Sequence, residues 1–224
     1  MEKAVRISKI LSERGLCSKR EADAYIKQGL VMLDGLIVTQ LGMRAYRSQK
    51  VELKSEAVVQ QSSKATVILH KPVGYISHLD DEKAYKPATS LITQDNFQNS
   101  KQYLTRSARF NTHGLAPAGR LDIDSSGLLV LTQDGRIAKT IICEQNLIEK
   151  EYLVRVEGKL ATRGLELLRY GLSLDGYQLK PAEVEWQNDD QLRFVLKEGR
   201  NRQIRKMCEL VGLHVTGLKG SQNR

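Results

Sequence analysis

The chain has 224 residues, of which 41% are hydrophobic, and it carries a formal net charge of +9. That length allows one or two domains, and the basic balance favours a polyanionic partner such as RNA or DNA. No apolar run approaches the ~20 residues of a membrane-spanning helix, and the N-terminus lacks a signal-peptide apolar segment. The three cysteines have no C-x-x-C spacing, so we expect reduced thiols, no metal site and a cytoplasmic protein.

Residues 1–54 are predicted to form one small unit of two short helices followed by short strands. The first helix is expected to end at Gly15. Ser18 and Glu21 have the spacing of a capping box, in which each side chain accepts a hydrogen bond from the other residue's backbone N–H. Asp34 and Gly35 lie between two apolar runs and predict a β-hairpin with a two-residue turn.

The same unit concentrates positive charge. It contains eleven Lys and Arg residues against six Asp and Glu residues. Arg14, Lys19 and Arg20 flank the turn between the two predicted helices, which makes them candidates for contacts with phosphate groups. The alternative is an ordinary solvated helix face, and charge by itself does not decide between the two interpretations.

The middle of the chain has weaker patterns. Residues 55–65 are rich in Gln and Ser and are predicted to be a linker, after which a strand begins at Thr66. Residues 80–118 are mostly polar and show no clear periodicity. Their second half combines basic and aromatic residues, so Lys101 and Arg106 are candidates for RNA contacts through phosphate binding and base stacking. The alternative is a mobile insertion without a binding role.

The strongest local signal for chemistry is the stretch 119–132. Its first half is a polar loop with Arg120, Asp122 and Asp124, and its second half is a continuous apolar run that predicts a buried strand. A carboxylate held beside an arginine at the mouth of a buried strand is suited to act as an ionised nucleophile or base. The pattern therefore predicts an active site at this loop.

Two later segments carry further candidates. Residues 150–156 alternate as a strand in which Tyr152 shares a face with two valines, a pattern more often typical of a core residue. Ile204 begins a stripe of apolar residues at helical spacing, with Arg202 and Arg205 on its flank. An arginine at that border can pair with a carboxylate; the alternative is a basic helix face touching solvent or phosphate.

Taken together, these motifs resemble two known families. Residues 6–35, which include the capping box and the hairpin, resemble an S4 RNA-binding domain. The stretches 119–129, 150–152 and 199–207 resemble the RsuA/RluB/RluE/RluF branch of the pseudouridine synthases, in which an S4 domain typically precedes the catalytic domain. The likeness covers almost the entire chain except residues 80–118.

The resemblance implies roles for single residues. Asp122 matches the catalytic aspartate, Tyr152 the tyrosine that stacks on the target base and assists proton removal, and Arg205 the basic residue that pairs with the aspartate. Ile204 matches the aliphatic residue that packs against the site, and Arg120 the motif arginine that displaces or replaces the flipped nucleotide. Because the reaction is an isomerisation with no net redox change, we expect neither a redox cofactor nor ATP.

Further expectations concern the surroundings of these residues. Arg202 is a candidate for substrate binding, and Asp124 is expected to be structural, capping its loop through Ser125 or Ser126. The family normally continues past residue 219 with a further strand, so the final edge of the sheet is expected to lack one.

The predicted fold class is α+β. It comprises a small S4-type helix-helix-strand domain at residues 1–54, a linker at 55–65 and a pseudouridine synthase catalytic domain at 66–224, whose mainly antiparallel mixed sheet is flanked by helices. The predicted function is conversion of a uridine in ribosomal RNA, expected to be of the large subunit, to pseudouridine by a monomer. The alternatives are a synthase acting on tRNA or small-subunit rRNA and a non-catalytic S4 RNA-binding or ribosome assembly protein.

Overall fold

A computed structural model describes residues 2–78, 84–93, 95–97, 112–143 and 148–223. The first part of the chain contains three helices and five short strands: β1 (Val5–Arg6), α1 (Ile7–Glu13), α2 (Lys19–Lys27), β2 (Val31–Leu33), β3 (Leu36–Val38), β4 (Arg44–Ala45), β5 (Val51–Leu53) and α3 (Ser55–Ser62). β2 lies between β3 and β5 in a three-stranded sheet, and β1 pairs with β4.

Two local predictions for this part are confirmed. Ser18 and Glu21 form the capping box at the start of α2, with Ser18 N donating to Glu21 Oε2 at 2.6 Å and Glu21 N to Ser18 Oγ at 3.3 Å. Asp34 and Gly35 connect β2 to β3 with φ of 49° and 84°, the positive values that a tight hairpin turn requires.

The segment predicted to be a linker is helical, and that prediction is wrong in this respect. α3 occupies residues 55–62 and buries Ala57 and Gln61 against the first unit. Tyr25 Oη donates to Gln61 Oε1 at 3.0 Å, and Gln61 Nε2 donates to Asp134 Oδ1 at 3.0 Å. The helix thus links the first core to the second through buried hydrogen bonds.

The second part of the chain contains eleven described strands, three α-helices and a 3₁₀ helix: β6 (Thr66–Lys71), β7 (Tyr75–Ile76), β8 (Lys86–Pro87), the 3₁₀ helix (Ala88–Leu91), β9 (Ala116–Pro117), β10 (Ser126–Thr132), α4 (Gly135–Ile142), β11 (Lys150–Gly158), α5 (Gly164–Tyr170), β12 (Ser173–Leu174), β13 (Tyr177–Gln178), β14 (Glu183–Asn188), β15 (Gln191–Leu196), α6 (Gln203–Leu210) and β16 (Leu213–Asn223). In the described residues no helix is long and apolar enough to cross a membrane.

Seven of these strands form the main sheet, which confirms the predicted α+β class. The order is β14-β15-β11-β16-β10-β6, with β9 also paired to β10. Only β10 and β16 pair in parallel among the described strands of this sheet. β16 is therefore an interior strand that runs to Asn223.

The close approach of β10 and β16 requires glycine. Gly127 has φ of 118°, and a Cβ atom there would lie 2.1 Å from the carbonyl oxygen of Gly220. This contact fixes the start of β10, immediately after the loop that carries Asp122.

The side chains that pack against the sheet are those that the predicted helix stripe and strand alternation place in the core. The stripe of Ile204, Met207, Cys208 and Val211 is buried on the face of α6 that meets the sheet. On β11, Val154 is buried while Arg155 is exposed, as the alternation predicted. The core of the sheet thus supports both segments that carry candidate site residues.

Candidate active site

Asp122 lies in the loop before β10, and that loop is held by the turn after β6. Ser77 Oγ donates to Leu121 O at 2.6 Å and accepts from Leu121 N at 2.9 Å. Gly74 N donates to Ile123 O at 2.8 Å. These three hydrogen bonds fix the backbone on both sides of Asp122, whose side chain remains 34% exposed.

The predicted site residues surround one cavity. Its volume is about 490 Å³, within the range of small-ligand sites. The predicted residues that line it are Arg120, Asp122, Tyr152, Arg202, Ile204 and Arg205. Segments separated by about 80 positions in the sequence therefore meet at a space large enough for an extruded nucleotide base.

The ion pairs in this cavity differ from the predicted one. Arg202 Nη1 lies 3.6 Å from Asp122 Oδ2, and Arg202 Nη2 lies 3.1 Å from Asp124 Oδ2. Arg205 Nη2 pairs with Asp124 Oδ1 at 3.2 Å. Among the ion pairs of the described residues Arg205 does not reach Asp122, so the expected Arg205–Asp122 pair is wrong and Arg202 is the counter-charge of Asp122.

Arg205 is instead a buried residue that holds the loop of Asp124 by hydrogen bonds. Its side chain is 10% exposed, which excludes the solvated helix face considered for it. Nη1 donates to Val215 O at 3.2 Å, and Nη2 donates to Asp124 O at 3.1 Å and Ser125 Oγ at 3.4 Å. The guanidinium thus ties α6 and β16 to the loop, while its Nε has no hydrogen-bond partner in the described part of the structure.

Asp124 does not cap its loop through Ser125 or Ser126, so that expectation is wrong. Its carboxylate binds the guanidinium groups of Arg202 and Arg205. Burial acts to raise the pKa of Asp124, but the hydrogen bond from Arg202 and the charge of Arg205 outweigh it and lower the pKa below 3.8. Asp124 is therefore an anion that binds both arginines and holds Arg202 beside Asp122.

Tyr152 lies on β11 where two apolar clusters meet, and it packs against both of them. Burial disfavours the phenolate, and the negative charge of Asp122 adds to this effect, so the pKa of Tyr152 rises to about 12. At neutral pH the side chain presents a neutral phenol to the cavity that Asp122 also lines. It is both a core residue and a site residue.

Lys71 is a residue of this region that the sequence interpretation missed. It is fully buried, and its Nζ donates to Pro72 O at 3.0 Å and Tyr75 O at 2.8 Å. Burial lowers its pKa, while the charges of Asp122 and Asp124 oppose that shift. A lysine at an inward position of an alternating strand, directly before Pro, is the signal that could have identified it.

The cavity rim holds a second pair without a predicted role. The guanidinium carbon of Arg200 lies 4.3 Å from the ring centroid of Tyr177, and Arg200 lines the cavity. The run of charged residues after β15 could have singled out Arg200, whereas Tyr177 had no local signal.

The candidates for RNA contact outside the cavity have different environments. Lys19 and Arg20 are exposed at the start of α2. Arg14 donates to Val51 O at 3.0 Å, Arg47 O at 2.9 Å and Gln49 O at 3.0 Å, so its guanidinium secures the protein's own backbone.

Two further candidates, Lys101 and Arg106, lie outside the residues that the structure describes. Arg120 is exposed at the cavity. Within the described ranges, no group of three or more His, Cys, Asp or Glu residues could hold a metal ion.

Comparisons with known proteins agree with this geometry. Residues 65–210 match the model of the RNA pseudouridylate synthase family, and residues 5–45 match that of the S4 domain. The chain is 33% identical over 220 residues to "Ribosomal large subunit pseudouridine synthase B" of Bacillus subtilis (strain 168), with 96% of this chain and 83% of that protein covered.

A second relative, "Dual-specificity RNA pseudouridine synthase RluF" of Escherichia coli (strain K12), is 33% identical over 97% of this chain and 69% of its own length. A solved structure described as "Crystal structure of pseudouridylate synthase" superposes with a TM-score of 0.63 and 23% identity, covering 98% of this chain and 88% of that one. At that identity the likeness concerns the fold.

Proposed function

The chain belongs to the RNA pseudouridylate synthase family, and from this premise we propose that it converts a uridine of large-subunit ribosomal RNA to pseudouridine. The substrate is inferred from the relatives, one of which is named for the ribosomal large subunit. The observation that carries the proposal is the cavity in which Asp122 faces Arg202 at 3.6 Å with Tyr152 in the same wall.

The reaction breaks the bond between N1 of uracil and C1′ of ribose and then joins C5 to C1′. Asp122 is proposed as the group that begins it, either by attack of the carboxylate on C1′ or by removal of a ribose proton to give a glycal. Both routes expel uracil through N1 and end with loss of the proton from C5. On the first route the new bond from C5 to C1′ replaces the bond between Asp122 and C1′, and on the second the ribose carbon regains its proton. N1 takes up a proton while C5 loses one to water, so the product is an isomer of the uridine.

The arginines support this role by their position. Arg202 provides the positive charge nearest to Asp122, and Asp124 holds that guanidinium in place. Arg205, buried behind them, fixes the loop backbone through Asp124 O. Preorganised charges of this kind need not reorganise during the reaction, which is how an active site lowers a barrier.

Tyr152 is proposed to hold the everted uracil by stacking and to offer its hydroxyl group near C5. Because the phenol is neutral at physiological pH, it takes part as a hydrogen-bonding group and not as a preformed base. Ile204 supplies an apolar wall, and Arg120, exposed beside the cavity, is placed to contact the displaced strand.

We propose that both parts of the chain bind RNA, residues 1–54 as an S4-type domain and residues 66–224 as the catalytic domain; the family matches over residues 5–45 and 65–210 support this division. Exposed Lys19 and Arg20 supply phosphate contacts, which offset the few kcal/mol needed to unstack the base. We propose that the protein acts as a monomer in the cytoplasm, where ribosomal RNA is its partner.

The test is release of tritium from transcripts that contain uridine labelled at C5. The wild-type protein should release tritium from a large-subunit rRNA transcript, and Asp122→Asn should reduce release to background. Asp189→Asn, an exposed aspartate in the turn between β14 and β15, is the matched control and should retain activity.

Transcripts of small-subunit rRNA and tRNA distinguish the alternatives. Release from one of these and none from the large-subunit transcript would reassign the substrate. Binding of rRNA without release from any transcript would support a non-catalytic S4 protein.

A further inference from the structure

Tyr177 and Arg200 form a stacked pair at the rim of the active-site cavity. The guanidinium carbon of Arg200 lies 4.3 Å from the centroid of the Tyr177 ring, the distance of a cation–π contact. Tyr177 is 60% exposed, so the ring face away from Arg200 is open to solvent. The pair therefore presents a flat aromatic surface beside a fixed positive charge.

The carboxylate of Glu198 connects the two segments that carry Tyr177 and Arg200. Glu198, which is 6% exposed, accepts from Lys180 N at 2.9 Å and from Gln203 Nε2 at 3.2 Å. The same carboxylate lies 3.8 Å from Arg200 Nε. Glu198 thus joins the segment after β13 to the loop before α6, and this connection keeps Tyr177 beside Arg200.

The contacts of the Arg200 side chain with the described residues are the stack on Tyr177 and the ion pair with Glu198 at 3.8 Å. In the part of the chain that the structure describes, no hydrogen bond takes up the N–H groups of the Arg200 side chain. A guanidinium with free donors matches the oxygens of a phosphate, and an open tyrosine ring stacks on a nucleobase. The pair therefore offers a partner for the phosphate and a partner for the base of one nucleotide.

We propose that Tyr177 and Arg200 bind the nucleotide that adjoins the target uridine, with its unpaired base stacked on Tyr177 and its phosphate bound by Arg200. The inference rests on the proposed function, since it takes the cavity to hold an everted uridine of RNA. Arg200 lines the same cavity as Asp122, so a nucleotide covalently joined to the flipped residue is within reach of this pair. The pair would then help to select the sequence around the target.

The test uses the full-length protein and a large-subunit rRNA transcript labelled with 5-tritiated uridine. Tyr177→Ala should raise KM about tenfold with kcat within about twofold, since stacking on an aromatic side chain is worth about that factor or more. Tyr177→Phe, which keeps the ring, should match the wild type. Tyr170→Ala is the matched control, because Tyr170 is a 73% exposed tyrosine that is not part of the stacked pair with Arg200.

The proposed contact between Arg200 and a phosphate can be tested by the salt dependence of kcat/KM. Arg200→Gln should raise KM and reduce the slope of log(kcat/KM) against log salt concentration by about one, the value expected for one lost phosphate contact. Arg155→Gln removes an exposed arginine of β11 outside the cavity lining and should leave the slope unchanged. Thermal unfolding of every variant checks that the fold is retained.

The outcomes separate the two proposals. If the wild type releases no tritium from any RNA, the proposed function fails and this inference fails with it. If the wild type is active while Tyr177→Ala and Arg200→Gln keep its KM and salt slope, the nucleotide site is refuted and the function stands. An equal loss in Tyr177→Phe would also contradict stacking.

Discussion

Glu21 and Gly135 are 114 positions apart in the chain, yet Glu21 Oε1 accepts a hydrogen bond from the backbone N–H of Gly135 at 3.0 Å. Glu21 belongs to the capping box of α2 and also pairs with Lys64, while Gly135 is the first residue of α4. The N-termini of two helices from different parts of the molecule therefore share one carboxylate. The contact attaches the first unit to the second.

Gly135→Ala should destabilise the protein. A Cβ at this position would lie 2.5 Å from both Cβ and Oγ of Ser18, so the helices must separate. Overpacking of this kind costs about 1–3 kcal/mol, more than the gain in helix propensity from glycine to alanine. Urea unfolding measures the difference. Gly217→Ala is the control, because its nearest neighbour is Arg155 Cβ at an ordinary 3.7 Å; equal loss in both variants would refute the steric explanation.

The contribution of Glu21 to the stability of the protein should decrease at acidic pH. Burial tends to raise the pKa of Glu21, but hydrogen bonds from Lys64, Gly135 and Ser18 outweigh it, so the folded-state pKa lies below the unfolded value of 4.5. A lowered carboxyl pKa stabilises the fold above the unfolded value, and this contribution is lost as the pH falls through the folded one. Glu21→Gln should therefore be less stable than the wild type at about pH 7 and approach it at about pH 3. A constant difference between the two proteins across this range would contradict the linkage.

Arg202 and Arg205 should respond differently to substitution. Arg202→Gln removes the counter-charge of Asp122 from a side chain that is 44% exposed, so tritium release should fall at least about tenfold with little change in stability. Arg205→Gln removes a half-buried ion pair, since the Asp124 carboxylate is 41% exposed, and the hydrogen bonds to Val215 O and Asp124 O, so it should cost about 1–3 kcal/mol of stability as well as activity. Full stability in Arg205→Gln would show that the hydrogen bonds of Arg205 to Val215 and Asp124 do not stabilise the fold.

The pH profile should identify the form in which Tyr152 acts. With its pKa raised to about 12, the phenol stays protonated, and kcat should be level between about pH 8 and about pH 10. A phenolate base would instead give a rate that rises tenfold per pH unit in this range. Tyr152→Phe is the comparison: a rise in the wild type that this variant lacks would overturn the neutral-phenol role.

Features that depend on residues close together in the sequence could be predicted, whereas features that depend on tertiary packing could not. The capping box of Ser18 and Glu21 joins residues three positions apart, and its geometry follows from the helix itself. α3 was missed because its buried stripe contains only Ala57 and Gln61, while Val58 and Val59 point to solvent. Its Gln and Ser content resembles that of a linker although tertiary packing stabilises a helix.

At the active site, residue identities could be predicted but the pairing could not. Asp122, Tyr152, Arg202 and Arg205 meet at the cavity, as their motifs indicated. Which arginine faces which aspartate depends on the backbone between α6 and the preceding loop, where Arg202 adopts a left-handed φ of 50°. No periodicity encodes that conformation, and the two partners of the Arg202–Asp124 pair are 78 positions apart.

The position of β16 determines when the catalytic loop can become ordered. β16 inserts between β10 and β11, although it follows both in the chain. Until β16 inserts, β10 and β11 lack the strand that separates them in the folded protein, and Arg205 lacks the Val215 carbonyl as a partner. Contacts of such long sequence separation form slowly in general, so we expect the pocket to become ordered only as β16 closes the sheet.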